Sequence, residues 1–402
     1  MQAKVGAFTA PASTTGNQAV TGVGFLPTAL IVWTTYQTAA GYTDAVYFGI
    51  GFTDGTTMHW QAAATDDNTS PNDTNRTREE TSLVRIENLT STNIRVGAFV
   101  SFDADGFTIN WTTADAVAPI FHYIALDATV EIGRAVDATL PAAQSPALTI
   151  PPKAVLFLQT VGDGDEGNAP NIGWATIDAD GAPNGQGACA ISIEDGQATQ
   201  DVWRFQQSDR CSVILSSTTG ALFNTLAWMV TGLGTVSDSG AVPVAFLALS
   251  DVSAKAGALN QPTSTGTQAV SGLGFTPKVV ILMSVGSVTT SGAQTQARFS
   301  FGAGDGTTQG RSWIGSEDSV NPSQAAKGHS TSVILSAVAT VNATGASNAA
   351  DAECALDSLD VDGFTLDWTV ADATAREVLW LALGDEAAAP PSGSETAVGY
   401  IG

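Results

Sequence analysis

The sequence predicts an all-β protein of three tandem antiparallel β-sandwich domains, on three observations. Short apolar runs are punctuated throughout by Gly, Pro, Asn and Asp, and no helix-length stretch keeps a 3.6-residue period. Where the pattern is clear it has period two: Phe107, Ile109 and Trp111 alternate with Thr108, Asn110 and Thr112, which places the aromatics on one face of a strand. The chain also repeats itself. Residues 101–116 (SFDADGFTINWTTADA) and 358–373 (SLDVDGFTLDWTVADA) agree at eleven of sixteen positions across an offset of 257, and matched segments in a fixed order mean duplication.

The elements follow in chain order. GNQAVTGVGFLPTALIVW (16–33) returns as GTQAVSGLGFTPKVVILM (266–283) at an offset of 250, so the last copy carries about seven extra residues in a loop before the DGFT segment. ALIVW (29–33), AVLFLQ (154–159) and VVILMS (279–284) are apolar without alternation, the mark of strands buried on both faces. Next come TSLVRI (81–86), CSVILS (211–216) and TSVILS (331–336), and each repeat closes with FHYIALDA (121–128), VAFLALSD (244–251) or VLWLALGD (378–385). Asp105-Gly106 and Asp362-Gly363 read as hairpin turns ahead of an aromatic strand. The middle copy lacks that turn and its Trp, reading WMVTGLGTVSDSG (228–240), so its hairpin is altered. Domains are thus expected at 1–127, 128–251 and 252–386, with 387–402 a Pro/Ser/Gly-rich arm. A doubly apolar strand needs a neighbour beyond its own sandwich. The expectation is that the repeats pack side by side about a pseudo-threefold axis, or that several chains do so together.

Composition narrows the function classes. With 39 acidic against 15 basic residues the net charge is −24, and the one basic cluster, Arg76, Arg78 and Arg85, lies beside Glu79, Glu80 and Glu87. Nucleic acid and anionic membrane are therefore not expected as partners. The excess of acid suits a protein kept soluble in salt, or kept from adhering to polyanionic surroundings. The first residues, MQAKVGAFTAPA, lack the apolar core of a signal peptide, and no run approaches a membrane span.

Chemistry-bearing residues are sparse. Three histidines (His59, His122, His329) and no HExxH, GxSxG, P-loop or CxxC pattern give no catalytic constellation; no enzyme activity and no cofactor are expected, and His122 reads as a strand-face residue. Cys189, Cys211 and Cys354 read as small buried thiols, with a Cys189–Cys211 bridge the alternative. The acidic loop VGDGDEGNAPN (161–171) offers Asp163, Asp165, Glu166 and Asn168 as calcium candidates, without the EF-hand spacing. Trp111 and Trp368 recur at matched core-facing positions, whereas Trp60, Trp203 and Trp313 lie in the variable middle of each repeat. Exposed there, they would be platforms for stacking glycans.

Two likenesses bear on function. The Pro-introduced strand (Pro277-Lys278-Val279-Val280), the Gly-Phe edge (Gly363-Phe364-Thr365-Leu366) and the closing strand (Trp380-Leu381-Ala382-Leu383-Gly384) resemble, in their order, H-type lectin domains. That family is a six-stranded antiparallel sandwich, commonly trimeric, which binds sugars at subunit edges and recurs on phage tail fibres. The whole tandem pattern, GxQAVTGxGFxPxAxIxW followed by FGIG and DGFTxNWT, is similar to repeat proteins encoded among the virion structural genes of tailed phages. These resemblances imply a non-enzymatic virion protein, either capsid decoration or spike, or tail accessory component. Other virion proteins are its implied partners and a homo-oligomer, a trimer above other states, its implied assembly. The alternative they imply is a lectin-like tail adhesin that binds host surface glycans.

Overall fold

The computed structural model describes residues 1–136, 148–160, 171–178, 181–215, 222–229, 232–238, 243–288, 293–338, 340–342 and 348–386. Every regular element among them is a β-strand, and every strand pairing is antiparallel. Val, Ile, Thr and aromatic residues recur in these short runs, and such side chains fit a pleated, half-buried surface.

Among the described residues six sheets form, three large and three small. In the first large sheet the order is Gln2–Thr9, Ile120–Asp127, Ala29–Thr34, Val46–Thr53, Met58–Thr65, Thr74–Glu79. The second runs Thr129–Val136, Pro243–Ser250, Ala154–Gln159, Asn171–Ile177, Pro183–Ile193, Val202–Gln207, and the third runs Val252–Asn260, Glu377–Asp385, Pro277–Ser284, Ala297–Gly304, Gln309–Ser316, Ala325–Ser330. In each, the first strand named is here the opening strand and the second the closing strand.

A small sheet stacks on each large one. Leu30, Val32, Phe121 and Tyr123 meet Val84, Phe107, Ile109 and Trp111 in one core; Val280, Leu282 and Ala382 meet Leu335, Phe364, Leu366 and Trp368 in another. The second large sheet packs on Cys211, Val213 and Leu215. The opposite faces of all three large sheets share a single further core: Ile31, Phe48 and Ile124 from the first, Leu156, Trp174 and Leu247 from the second, and Ile281, Phe301 and Leu381 from the third. This is why Ala29–Thr34, Ala154–Gln159 and most of Pro277–Ser284 are buried at consecutive positions. Each Val, Leu, Ile, Phe or Met side chain withdrawn from water contributes roughly 1.5–3 kcal/mol. The neighbour those strands require lies within the same chain.

Two short strands cross between sheets. Gly41–Asp44 leaves the sequence of the first large sheet to pair with the outer strand of the third, Lys327 facing Thr43 and His329 facing Gly41. Gln294–Thr295 does the same for the second, with Trp203 facing Thr295. Both outer edges, which would otherwise present unpaired N–H and C=O groups, are closed by a foreign strand.

The hairpin expectation needs one adjustment. Ala104-Asp105 are the turn residues between Asn93–Asp103 and Gly106–Thr113, and Gly106 already faces Asp103 across the ladder. Gly106 and Gly363 are required by close approach. A Cβ at either would lie 1.9 Å from the Val20 or Val270 carbonyl oxygen on the adjacent edge strand, far inside contact distance. In the middle stretch Leu222–Met229 and Gly232–Asp238 still pair as antiparallel strands, without the DGF motif.

Candidate functional site

The twice-written DGF segment is a cap. Asp105 accepts hydrogen bonds from the amides of Gly22 (3.1 Å) and Gly24 (2.6 Å), and Asp362 does so from Gly272 (3.1 Å) and Gly274 (2.5 Å). Those four glycines hold φ between +82° and +89°, the left-handed region that favours glycine. Gln18 accepts from Trp111 Nε1 at 2.8 Å, and Gln268 from Trp368 Nε1 at 2.9 Å. The matched motifs GxQAV, GxGF and DGFTxxW are thus parts of one local device, in which a turn carboxylate fixes two exposed glycine amides and an edge-strand side-chain amide satisfies a buried indole N–H.

Of the residues singled out for chemistry, Trp60 and Trp313 are each 1% exposed, so neither offers a ring face to a glycan, and the expectation of exposure is corrected. The Trp60 ring lies over Gly49, and Tyr42 of the crossing strand packs edge-on against Trp313 at 5.5 Å. Trp203 is half-buried on the strand that pairs with the other crossing strand, opposite Thr295. The calcium candidates Asp163, Asp165, Glu166 and Asn168, and the arm 387–402, lie outside the described residues. Among the described residues no group of three or more His, Cys, Asp or Glu is placed to hold a metal ion. The three cysteines are buried thiols outside any disulfide, as read from sequence, and burial pushes the Cys189 and Cys354 thiols well up.

The structure concentrates its polar contacts where the three large sheets meet. Loops 66–73, 194–201 and 317–324 interlock through one bonding pattern written three times. Asn68 N donates to Ser323 O (2.8 Å), Ser319 N to Gln200 O (2.8 Å), and Gly196 N to Asn72 O (3.0 Å). In return Ser323 N donates to Thr69 O, Gln200 N to Val320 O, and Asn72 N to Gln197 O, at 2.9 to 3.0 Å. A carboxylate then clamps the strand beyond: Asp67 accepts from Ala325 N (2.7 Å), Asp195 from Thr74 N (2.7 Å), and Asp318 from Val202 N (3.1 Å). First contacts third, third contacts second and second contacts first, so the ring closes. Asn68, Gly196 and Ser319 hold φ of 59°, 69° and 59°. Asn72, Gln200 and Ser323 are at most 3% exposed, so each needs the partner it has. Burial raises the carboxyl pKa of Asp67, Glu194 and Asp201, and the neighbouring acids add to it, Asp201 acting on Glu194 and Asp318 on Asp201.

A second polar cluster lies between the first and third large sheets. His122 Nε2 and His329 Nδ1 are 2.7 Å apart, both residues are at most 2% exposed, and the His122 ring stacks on Trp33. Arg311, beside them, donates to Tyr42 Oη at 3.1 Å, lies over its ring at 5.0 Å and faces Glu353 at 3.8 Å. Burial, with the Arg311 charge, holds His329 down to about 4. His122 is lowered by burial first, then by His329 and Arg311. Two imidazoles sharing one hydrogen bond in a dry site are neutral at neutral pH. These contacts tie one large sheet to the other.

Sequence reasoning missed the ring. A signal was present in acidic–Asp–turn triplets one turn after a large-sheet strand: Asp66-Asp67-Asn68, Glu194-Asp195-Gly196 and Glu317-Asp318-Ser319. No family model matches the chain, and no curated protein is similar to it.

Proposed function

We propose that this is a non-enzymatic structural protein. Its stretches 1–127, 128–251 and 252–386 are three β-sandwich domains of H-type-lectin-like build, set about a pseudo-threefold axis. It serves on a tailed-phage virion as capsid decoration, spike or tail accessory component. The closed ring of loops carries the structural half of this reading, because one set of bonds recurs three times and always runs from one stretch to the next. The shared core of the three large sheets supports it as well. Placement on a virion rests on the resemblance of the tandem pattern.

On this reading one chain achieves what a trimer of single sandwiches would: a rigid block with its apolar strands inward and its small sheets and acidic surface outward. Contacts with other virion proteins, or with further copies in a trimer of chains, would then be made through the small sheets and loops.

Two measurements test the proposal. Domains excised near 127 and 251 should be insoluble or far less heat-resistant than the whole chain; three soluble, monomeric, equally stable pieces would refute the shared core. Immunogold labelling of purified particles should place the protein on the capsid shell or along the tail. Labelling at the tail tip together with glycan affinity would favour the adhesin reading instead, and absence from the particle would remove both.

A further inference from the structure

Three arginines converge where the second large sheet meets the third, and they are unequally supplied with counter-charge. Arg204 lies on Val202–Gln207, the outer strand of the second large sheet, opposite Gln294 of the crossing strand. Side chains along a strand alternate between its faces. Val202 enters the core shared by the large sheets, and Gln206 bonds across to the third stretch, donating to Glu377 O at 3.1 Å and accepting from Val285 N at 3.0 Å. Arg204, between them, faces the third stretch as well. There it lines a cavity with Arg298 and Arg376, beside Ser284, Gly286 and Trp313.

Arg298, 3% exposed, pairs with Glu317 and donates to the Val338, Ala297 and Ser316 carbonyls at 2.8 to 2.9 Å. Arg376 has Asp372, which accepts from its Nε and Nη2 at 2.9 Å, and Gly286 O, which accepts from Nη1 at 2.9 Å. Arg204 donates through Nε and Nη2 to one neutral atom, Gln294 Oε1, at 3.4 and 3.2 Å. Among the described residues it forms no ion pair, and its Nη1 has no partner. Burial, with the Arg298 and Arg376 charges, lowers the Arg204 guanidinium to about 10, so it stays charged at neutral pH. The third outer strand offers a comparison. Counted from the clamped amides of Val202 and Ala325, Arg204 corresponds to Lys327, and the crossing strand over Lys327 brings the negative charge of Asp44. The strand over Arg204, Gln294–Thr295, has no acid. Residues 289–292 (TTSG) and 343–347 (ATGAS), outside the described residues, contain none either.

We infer that this cavity is a binding site for a tetrahedral oxyanion of the phosphate or sulfate class, held between Arg204 of the second stretch and Arg376 of the third. A guanidinium presents paired N–H groups to two oxygens at once. The free edge of Arg204 takes one such pair, and Arg376 keeps a second N–H on Nη1 and on Nη2 for a further oxygen. A carboxylate, with two oxygens, would be spent on one arginine. The cavity, about 10 Å³, admits a single oxygen-sized centre. One oxygen of the anion enters it, and the others stay at the mouth beside the half-buried Arg204 and Arg376. Arg298, already bonded to Glu317 and three carbonyls, adds its charge to the field. In a chain of net charge −24 the site is a local inversion of sign, and a bound anion ties the second stretch to the third. The inference needs only the contact between these two stretches, and depends neither on the sandwich reading nor on any place on a particle.

The test titrates the full chain with sodium phosphate, sodium sulfate and sodium acetate at constant ionic strength, by isothermal titration calorimetry and by melting temperature. Phosphate or sulfate should bind once per chain. At about a hundredfold excess over the dissociation constant it should raise the melting temperature by about 3 °C, and acetate should do neither. Arg204→Gln should abolish binding. Without phosphate this variant should melt within about 1 °C of the wild type, because a buried cation lacking a counter-charge contributes little net stability. Arg204→Lys keeps the charge without the fork; it should weaken binding about tenfold or more and serves if the glutamine variant folds poorly. Arg210→Gln removes the same charge from the pair with Asp209 and should bind like the wild type. Four results would overturn the inference: no binding of either anion, acetate binding as tightly as phosphate, a shift set by ionic strength alone, or phosphate binding that survives Arg204→Gln. Loss of binding in Arg210→Gln equal to that in Arg204→Gln would show a diffuse charge effect, which also overturns it.

Discussion

Lowering the pH from 7 to 4 should weaken the protein through one buried pair, His122 and His329. In the unfolded chain each imidazole takes up its proton near pH 6.5. In the folded chain burial and Arg311 hold His329 down to about 4. A depressed folded pKa means that the stability this group contributes is complete above about pH 6.5 and is lost as the pH falls toward 4. At about 1.4 kcal/mol per pH unit the loss comes to about 3 kcal/mol. Among the described residues the charged group acting on both rings is Arg311, whose positive charge opposes a charged imidazole.

Several carboxyls act in the opposite sense. Asp67, Glu194, Asp201 and Glu377 have raised pKa values, each through burial first, so acid relieves their cost. The measurement must therefore be a difference. Urea unfolding of the wild-type chain and of His329→Gln, at pH 7, 6, 5 and 4, isolates the imidazole, because the glutamine amide can still bond His122 while it does not titrate. The wild type should lose about 3 kcal/mol more than the variant between pH 7 and 4. Parallel pH profiles, agreeing within about 1 kcal/mol, would refute the assignment of this pair as the acid-sensitive contact.

Other substitutions probe the remaining contacts. Asp195→Ala removes the acceptor for the Thr74 amide, in a residue 3% exposed, and should cost about 1–3 kcal/mol in chemical denaturation, with Asp195→Asn recovering most of it. Gly106→Ala and Gly363→Ala force a Cβ onto a neighbouring carbonyl oxygen; each should lower the melting temperature by an amount equivalent to at least about 2 kcal/mol, where Ala at exposed Gly196 should cost much less. Gln18→Leu leaves Trp111 Nε1 without its acceptor and should cost about 1–3 kcal/mol, visible as a shift in tryptophan fluorescence at lower denaturant.

How much of this was legible depends on the range of the interaction. The alternating strand Gly106–Thr113, its turn and the doubly apolar runs are stated by near neighbours in sequence, so period and turn chemistry revealed them. The crossing strands are different. Gly41–Asp44 and Gln294–Thr295 are four and two residues long, polar and without alternation; only the outer edge they cover makes them strands. The same omission misplaced the tryptophans. Trp313 looks exposed until Tyr42, 271 positions away in sequence, is laid against it. His122 and His329 are likewise ordinary strand residues until the third large sheet meets the first. Their pairing follows from no local rule.

The central core and the ring of loops have different tasks, and neither suffices alone. The facing surfaces of the large sheets are lined with Val, Ile, Leu and Phe, whose attraction is large but non-directional. The loops add direction, since displacing one stretch against the next would leave the Thr74, Val202 and Ala325 amides without their clamping carboxylates, each a donor in a buried residue whose loss costs about 1–3 kcal/mol. The middle stretch shows the same division. Its hairpin, Leu222–Met229 with Gly232–Asp238, has no DGF segment, yet it shares with the other two stretches a loop carboxylate and a strand next to the opening strand. The contacts common to all three stretches are those that join one to the next.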